Sequence, residues 1–191
     1  MRLPMPEIIP ADNLILKRLR YEDAEEIFFT YASKDEATRY VAWPTHQRLT
    51  DTRDFLRYAV QAWNTGRDYS YGIRQVRSNR LVGSIGAVHD SGRIQFGYII
   101  APSQWSRGYA TLAAKAILTV LKSMPQVKEI KTFVDVENKA SIRVLQKCGL
   151  VQEAVVPGYY RFVNQNNRAK DCILFKLELP PVPAREGESS S

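Results

Sequence analysis

The chain has 191 residues, 45% of them hydrophobic and 25% charged, which is enough to bury one good core but not two. This composition excludes the disordered and fibrous classes, and no apolar run reaches the roughly 20 residues that span a bilayer. A net charge of +7, from 27 basic and 20 acidic residues, favours anionic partners, yet the basic residues are scattered without a run of four or a basic-aromatic repeat. They read as mostly solvated surface, and no nucleic-acid or membrane partner is expected. Met1-Arg2-Leu3-Pro4-Met5-Pro6 lacks the apolar centre of a signal peptide, and Cys148 and Cys172 sit inside apolar periodic segments. The expectation is a cytoplasmic protein whose thiols act as small core residues and need no disulfide.

A Pro-rich leader over residues 1–12 precedes a first strand at 13–19. Residues 22–32 place Ala24, Ile27, Phe28 and Tyr31 at helical spacing, and 33–43 reads as a further helical turn ended by Trp43-Pro44. A helix over 51–63 is expected to be capped by Thr50, with Asp51 and Asp54 at its positive end and Gly66 closing it. The period then becomes two. Strands at 70–76, 81–88 and 94–100, joined by Arg77-Ser78-Asn79 and His89-Asp90-Ser91-Gly92, form an antiparallel meander. A helix at 107–123, a strand at 130–134 and a helix at 139–148 follow, the last capped by Asn138 and stopped by Gly149. Strands at 150–156 and 172–179, joined by a polar loop, complete a folded domain over 13–179, and 180–191 reads as a disordered tail. The crossover brings the strands ending near Ile100 and Val134 parallel and adjacent, so the class is α/β (α+β) with a mixed sheet.

The stretch from Tyr98 to Thr111 carries the chemistry. A buried strand stops at Pro102, and Gly108-Tyr109-Ala110 opens a long helix whose first turn leaves backbone N–H groups without partners. Gly108 and Ala110 let a ligand approach that backbone closely, and the positive dipole end favours an anion. No Asp or Glu occurs from Arg107 to Met124, as though an external anion supplies the negative charge. Alone, the same residues would also suit a tight turn into a hydrophobic helix.

Trp105-Ser106-Arg107-Gly108-Tyr109-Ala110-Thr111, followed by Asn138-Lys139-Ala140-Ser141 and Val144-Leu145-Gln146-Lys147-Cys148-Gly149-Leu150, resembles the GNAT superfamily of acetyltransferases over nearly the whole folded chain. Within it the likeness is to the branch of ribosomal-protein N-terminal acetyltransferases. The resemblance implies a seven-stranded, mainly antiparallel sheet with a splayed parallel central pair, parted beyond a bulge and flanked by about four helices. It implies an acetyl-CoA-dependent N-acetyltransferase acting by direct transfer on a primary amine, of a protein N-terminus or a small molecule. Ile99 and Ile100 would pair with the pantetheine arm, Ser106, Arg107, Gly108, Tyr109, Ala110 and Thr111 would wrap the pyrophosphate, and Asn138 would lie beside the pantetheine. Ser141 is the catalytic candidate, as a hydroxyl near the departing thiolate. Trp43, Tyr159 and Tyr160 are placed to line the acceptor site, between the N-terminal helices and the last hairpin.

The sequence also departs from the family pattern. Leu145 stands where many members carry a tyrosine acid, Gln95 where a glutamate precedes the Gly-Tyr of the fourth strand, and Leu112 where a glutamate follows Gly-Tyr-Ala-Thr. Gln95 cannot accept a proton, which leaves Glu153 and Asp171 as candidate bases, while His46 and His89 read as surface or loop residues. Two alternatives stay open: a GNAT-fold module that binds acyl-CoA without turnover, and a basic nucleic-acid-binding domain. No Gly-Lys-Ser/Thr follows a glycine loop and no metal-ligand spacing occurs, so neither a P-loop nor a metal is expected. A monomer or dimer is expected.

Overall fold

The computed structural model describes residues 1–181, so most of the expected tail lies outside the described residues. Eight strands form one sheet in the order β1-β2-β3-β4-β5-β6-β8-β7. They are β1 (Ile8–Ala11), β2 (Leu14–Arg18), β3 (Asp68–Gln75), β4 (Leu81–Asp90), β5 (Arg93–Ile100), β6 (Glu129–Asp135), β7 (Val151–Phe162) and β8 (Arg168–Leu177). Every neighbouring pair is antiparallel except β5 and β6, which are parallel as the crossover requires.

The count exceeds the expected seven because the leader is not a loose extension. Ile8–Ala11 pairs with β2 and forms the sheet edge, and Leu3, Met5 and Ile9 are buried. Pro10, within this strand, is tolerated because an edge strand has one side free of ladder bonds. The expected polar loop after residue 156 is mostly ladder: β7 runs on to Phe162, with irregularities around Pro157-Gly158, and turns back into β8.

Five helices pack on this sheet: α1 (Ala24–Ile27), α2 (Asp35–Thr38), α3 (Leu49–Thr65), α4 (Tyr109–Lys122) and α5 (Lys139–Lys147). The single helix expected over 22–32 is a composite, with a 3-10 turn at Tyr21–Asp23 before α1 and a π-turn at Phe28–Ala32 after it. Arg74, buried on β3, ties this composite down through Asp23 (3.3 Å) and Glu26 (2.9 Å). α3 starts earlier than expected, and Thr50 does not cap it. The carboxylate of Asp51 instead accepts the N–H groups of Gln47 (2.9 Å) and Arg48 (3.0 Å), which sets the first turn one residue before Thr50. Gly66 closes α3 in the left-handed conformation at φ 76°, as expected.

Side chains alternate across a strand, and neighbouring residues of β5 fall into different cores. Ile100 belongs to a large cluster with Leu14, Leu16, Tyr71, Ile85, Phe96, Ile117 and Leu121. Ile99 belongs to a smaller one with Leu19, Ile27, Tyr31, Leu56 and Leu81. The sheet is therefore covered on both faces where β5 leaves it, with α4 on one side and α1–α3 on the other. No described helix is long and apolar enough to cross a membrane.

Candidate active site

β5 and β6 pair only at Arg93↔Glu129, Ile94↔Ile130 and Gln95↔Lys131. Beyond Gln95 the ladder ends and a gap opens between the two strands. Thr132 closes its lower end by donating from Oγ1 to the Phe96 carbonyl (2.8 Å). The bulge expected here is absent: β4 and β5 keep one register from Gly83↔Ile100 to Asp90↔Arg93.

The hydrogen-bond phase of β5 decides which amides face the gap. Ala101 N–H donates to Val82 O (2.8 Å), so alternation assigns the backbone groups of Ile99 and Gly97 to β4 and those of Ile100, Tyr98 and Phe96 to the β6 side. Of the two expected pantetheine partners, Ile100 faces the opening and Ile99 does not. The Ile100 carbonyl is occupied by Trp105 Nε1 (2.9 Å), which pins the following loop and leaves the Ile100 N–H free.

That loop leads into α4. Ser106 (φ 61°) and Gly108 (φ 75°) are left-handed on either side of Arg107, an alternation that turns successive N–H groups inward as an anion nest. Among the described residues, no N–H from Ser106 to Thr111 finds a protein acceptor, and Gly108 caps α4 without a side-chain bond. A Cβ at Gly108 would meet nothing within 4 Å, so the approach is open. Ser106, Arg107 and Gly108 are exposed, Ala110 and Thr111 half-buried, and the Tyr109 ring is in the core. Arg107 makes no ion pair among the described residues. The acid-free start of α4 is therefore a cradle of unpaired donors, suited to a polyphosphate.

Across the gap, Asn138 caps α5 by accepting the Ser141 N–H at Oδ1 (3.3 Å). Ser141 Oγ lies 2.7 Å from Tyr98 Oη, so one hydrogen bond bridges the two sides of the opening. Burial pushes the Tyr98 phenol up to about 12, opposed by the bond to Ser141, so it stays protonated at neutral pH. The sequence does not announce this contact, because the two residues are 43 positions apart.

Trp43 stacks on Phe55 (6.4 Å) and tilts against His46 (5.0 Å), while Tyr159 and Tyr160 pack on Phe133 (5.2 and 5.0 Å). None of the three lines the cleft found between α2 and the β7–β8 hairpin. That cleft, about 520 Å³, is walled by Asp35, Glu36 and Arg39 on one side and by Glu137, Asn164, Gln165, Asn166, Arg168 and Lys170 on the other. Asn164, a residue missed in the sequence, holds the walls together. Its Nδ2 donates to the carbonyls of Thr38 (2.7 Å) and Trp43 (2.9 Å), and its Oδ1 accepts from Thr45 N–H (3.0 Å).

The candidate bases are engaged elsewhere. Glu153 pairs with Lys131 (3.4 Å) at the closed end of the parallel pair, and Asp171 accepts Gly158 N–H (2.9 Å), tying down the β7 irregularity. His89 is buried rather than on the surface, bonded through Nδ1 to Gly66 O and through Nε2 to Gly92 N–H. His46 is half-buried, its pKa lowered by burial, with Nδ1 2.7 Å from Thr52 Oγ1. Leu145 is in the core, and both cysteines are free thiols raised by burial. No group of three or more His, Cys, Asp or Glu is arranged to hold a metal among the described residues.

A mixed sheet whose parallel pair parts beside a donor-lined helix start sets an opening for an elongated ligand next to a site for an anion. The profile of the family described as acetyltransferase (GNAT) domain matches residues 13–151, and the chain belongs to that family. It is 27% identical over 176 residues to the uncharacterized N-acetyltransferase YoaA of Bacillus subtilis (strain 168), covering 91% of this chain and 97% of that one. RimJ of Mycobacterium smegmatis, solved with CoA-disulfide, superposes with a TM-score of 0.82 at 20% identity, covering 96% and 93% of the two chains. The ribosomal-protein-S5-alanine acetyltransferase of Vibrio fischeri superposes with a TM-score of 0.78 at 14% identity, covering 91% and 99%. The chain is an N-acetyltransferase of the GNAT type.

Proposed function

We propose that this enzyme moves the acetyl group of acetyl-CoA directly to a primary amine, of a protein N-terminus or a small molecule. The observation that carries this reading is the run of six unpartnered N–H groups from Ser106 to Thr111 beside the opened β5–β6 pair. Those amides hold the pyrophosphate, with Arg107 adding charge, and the Tyr98 and Ile100 amides take the pantetheine arm in strand-like fashion. Acetyl-CoA supplies an activated thioester. A β5 amide that faces the gap and is not taken up by the arm is the oxyanion donor. The amine lone pair forms the C–N bond, the C–S bond breaks with its electron pair on sulfur, and the proton lost from nitrogen ends on sulfur. Ser141 serves that last transfer as a hydrogen-bond donor to the developing thiolate.

The base departs from the usual pattern. With Gln95 unable to accept a proton and Glu153 and Asp171 engaged, the amine gives its proton to water. A peptide amine with a pKa near 8 is already partly neutral, so orientation supplies most of the acceleration. The alternative set against it, an acyl-CoA-binding module without turnover, is motivated by Leu145 and Gln95, which stand where many members carry a tyrosine acid and a glutamate.

Calorimetric titration with acetyl-CoA, CoA and ATP tests the shared part of both readings. CoA species are expected to bind and ATP not to. Gly108→Trp, which fills the open approach and strains a left-handed position, is expected to weaken acetyl-CoA by roughly 100-fold or more with the fold retained. Equal affinity in that variant would remove the site from the α4 start. Thiol release on adding amines then separates the transferase from the binding module.

A further inference from the structure

Tyr98 and Ser141 belong to opposite sides of the gap, one on β5 beyond its last pair with β6, the other in the first turn of α5. Their oxygens are 2.7 Å apart, and the Tyr98 ring packs against the larger core, so it has little freedom to follow a moving partner. Ser141 is held at its backbone by Asn138 Oδ1. A serine hydroxyl carries one proton and two lone pairs on a free rotor. Left alone, that rotor would share its proton with any nearby acceptor, including the carbonyls of its own helix.

We propose that Tyr98 is a positioning residue that donates to Ser141 Oγ and so turns the Ser141 proton towards the departing sulfur. This rests on the acetyl-transfer reading above. Tyr98 touches neither the thioester nor the amine in this role, and its own proton stays in place. The bond order is Tyr98 O–H to Ser141 Oγ, then Ser141 O–H to sulfur. Two consecutive donors in a partly dry gap strengthen one another, so the thiolate meets a better donor than an isolated serine. The reverse order, with Ser141 donating to Tyr98, would make Tyr98 the group facing sulfur and predicts a different mutant pattern.

The test is a double-mutant cycle of Tyr98→Phe and Ser141→Ala, reading acetyl-dependent thiol release and, separately, acetyl-CoA affinity by calorimetry. Tyr98→Phe removes one oxygen and keeps the ring. It is expected to lower kcat by about tenfold while KM and Kd for acetyl-CoA change less than about twofold. Unaltered affinity also certifies that the variant folds. Ser141→Ala is expected to lower kcat at least as much, and adding Tyr98→Phe to it should cost nothing further. Wild-type kcat in Tyr98→Phe, with Ser141→Ala impaired, would overturn the positioning role. So would multiplicative losses, which would mean that Tyr98 acts without Ser141. Wild-type kcat in Ser141→Ala would instead remove Ser141 from the transfer, and absence of thiol release by the parent protein with any amine would remove the transfer reading itself.

Discussion

Asp68 opens β3 almost wholly buried, its carboxylate accepting from Ser70 Oγ (3.0 Å) and Tyr58 Oη (3.4 Å). Burial outweighs those two bonds and raises its pKa above the ordinary carboxylate range. The folded chain thus binds this proton more tightly than the unfolded chain does. Its contribution to stability is greatest at acid pH and falls as pH rises from the unfolded value through the raised folded one. Asp68→Asn keeps the volume and an acceptor for Ser70 but removes the charge. The variant is expected to melt higher than the parent at neutral pH, with the difference shrinking towards about pH 4 as Asp68 takes up its proton. A gap that does not narrow on acidification would mean that the stabilisation comes from packing rather than from ionisation.

At the scale of elements, the cleft between α2 and the β7–β8 hairpin is built by long-range tethers that no local pattern announces. The Asn164 side chain sits at the β7–β8 turn and reaches Thr38, Trp43 and Thr45, more than 110 positions away in the chain. Asn164→Ala leaves the Thr38 and Trp43 carbonyls without this partner. It is expected to cost about 2–4 kcal/mol at the usual worth of such bonds and to raise KM for the acceptor while sparing acetyl-CoA affinity. A loss of stability with acceptor KM unchanged would mean that the clasp serves the fold alone. The same contrast explains what could be read from the sequence. The meander, the crossover and α4 were legible because their two- and four-residue periods and the left-handed Gly108 are local properties. The continuation of β7 was not, because Pro157-Gly158 imitates a turn and an edge strand with both faces largely exposed lacks alternation. The Tyr98–Ser141 bond and the aromatic packing of Trp43, Tyr159 and Tyr160 depend on which elements meet, and sequence spacing does not carry that.

At the scale of the whole molecule, the family profile begins at residue 13, but the folding unit does not. β1 covers the outer edge of β2, and α4, which presents the anion cradle, packs on both. Leu3 N–H donates to Tyr69 Oη (2.8 Å) and Tyr71 Oη to Pro6 O (2.7 Å), so the buried face of β3 also completes its polar bonds with the leader. Leu3, Met5 and Ile9 are each more than nine-tenths buried. Three such side chains are together worth roughly 5–9 kcal/mol, comparable with the entire net stability of an ordinary domain. Removing residues 1–12 would also expose β2 as an apolar edge able to pair with other chains. The truncated chain is expected to be recovered mainly as aggregate and to lack a cooperative melt, although it keeps every residue proposed for catalysis and cofactor binding. A soluble truncated protein melting within a few degrees of the parent would mean that β1 is peripheral. In that outcome the site would be supported by β2–β6 alone, and the boundary of the family profile would also be the boundary of the fold.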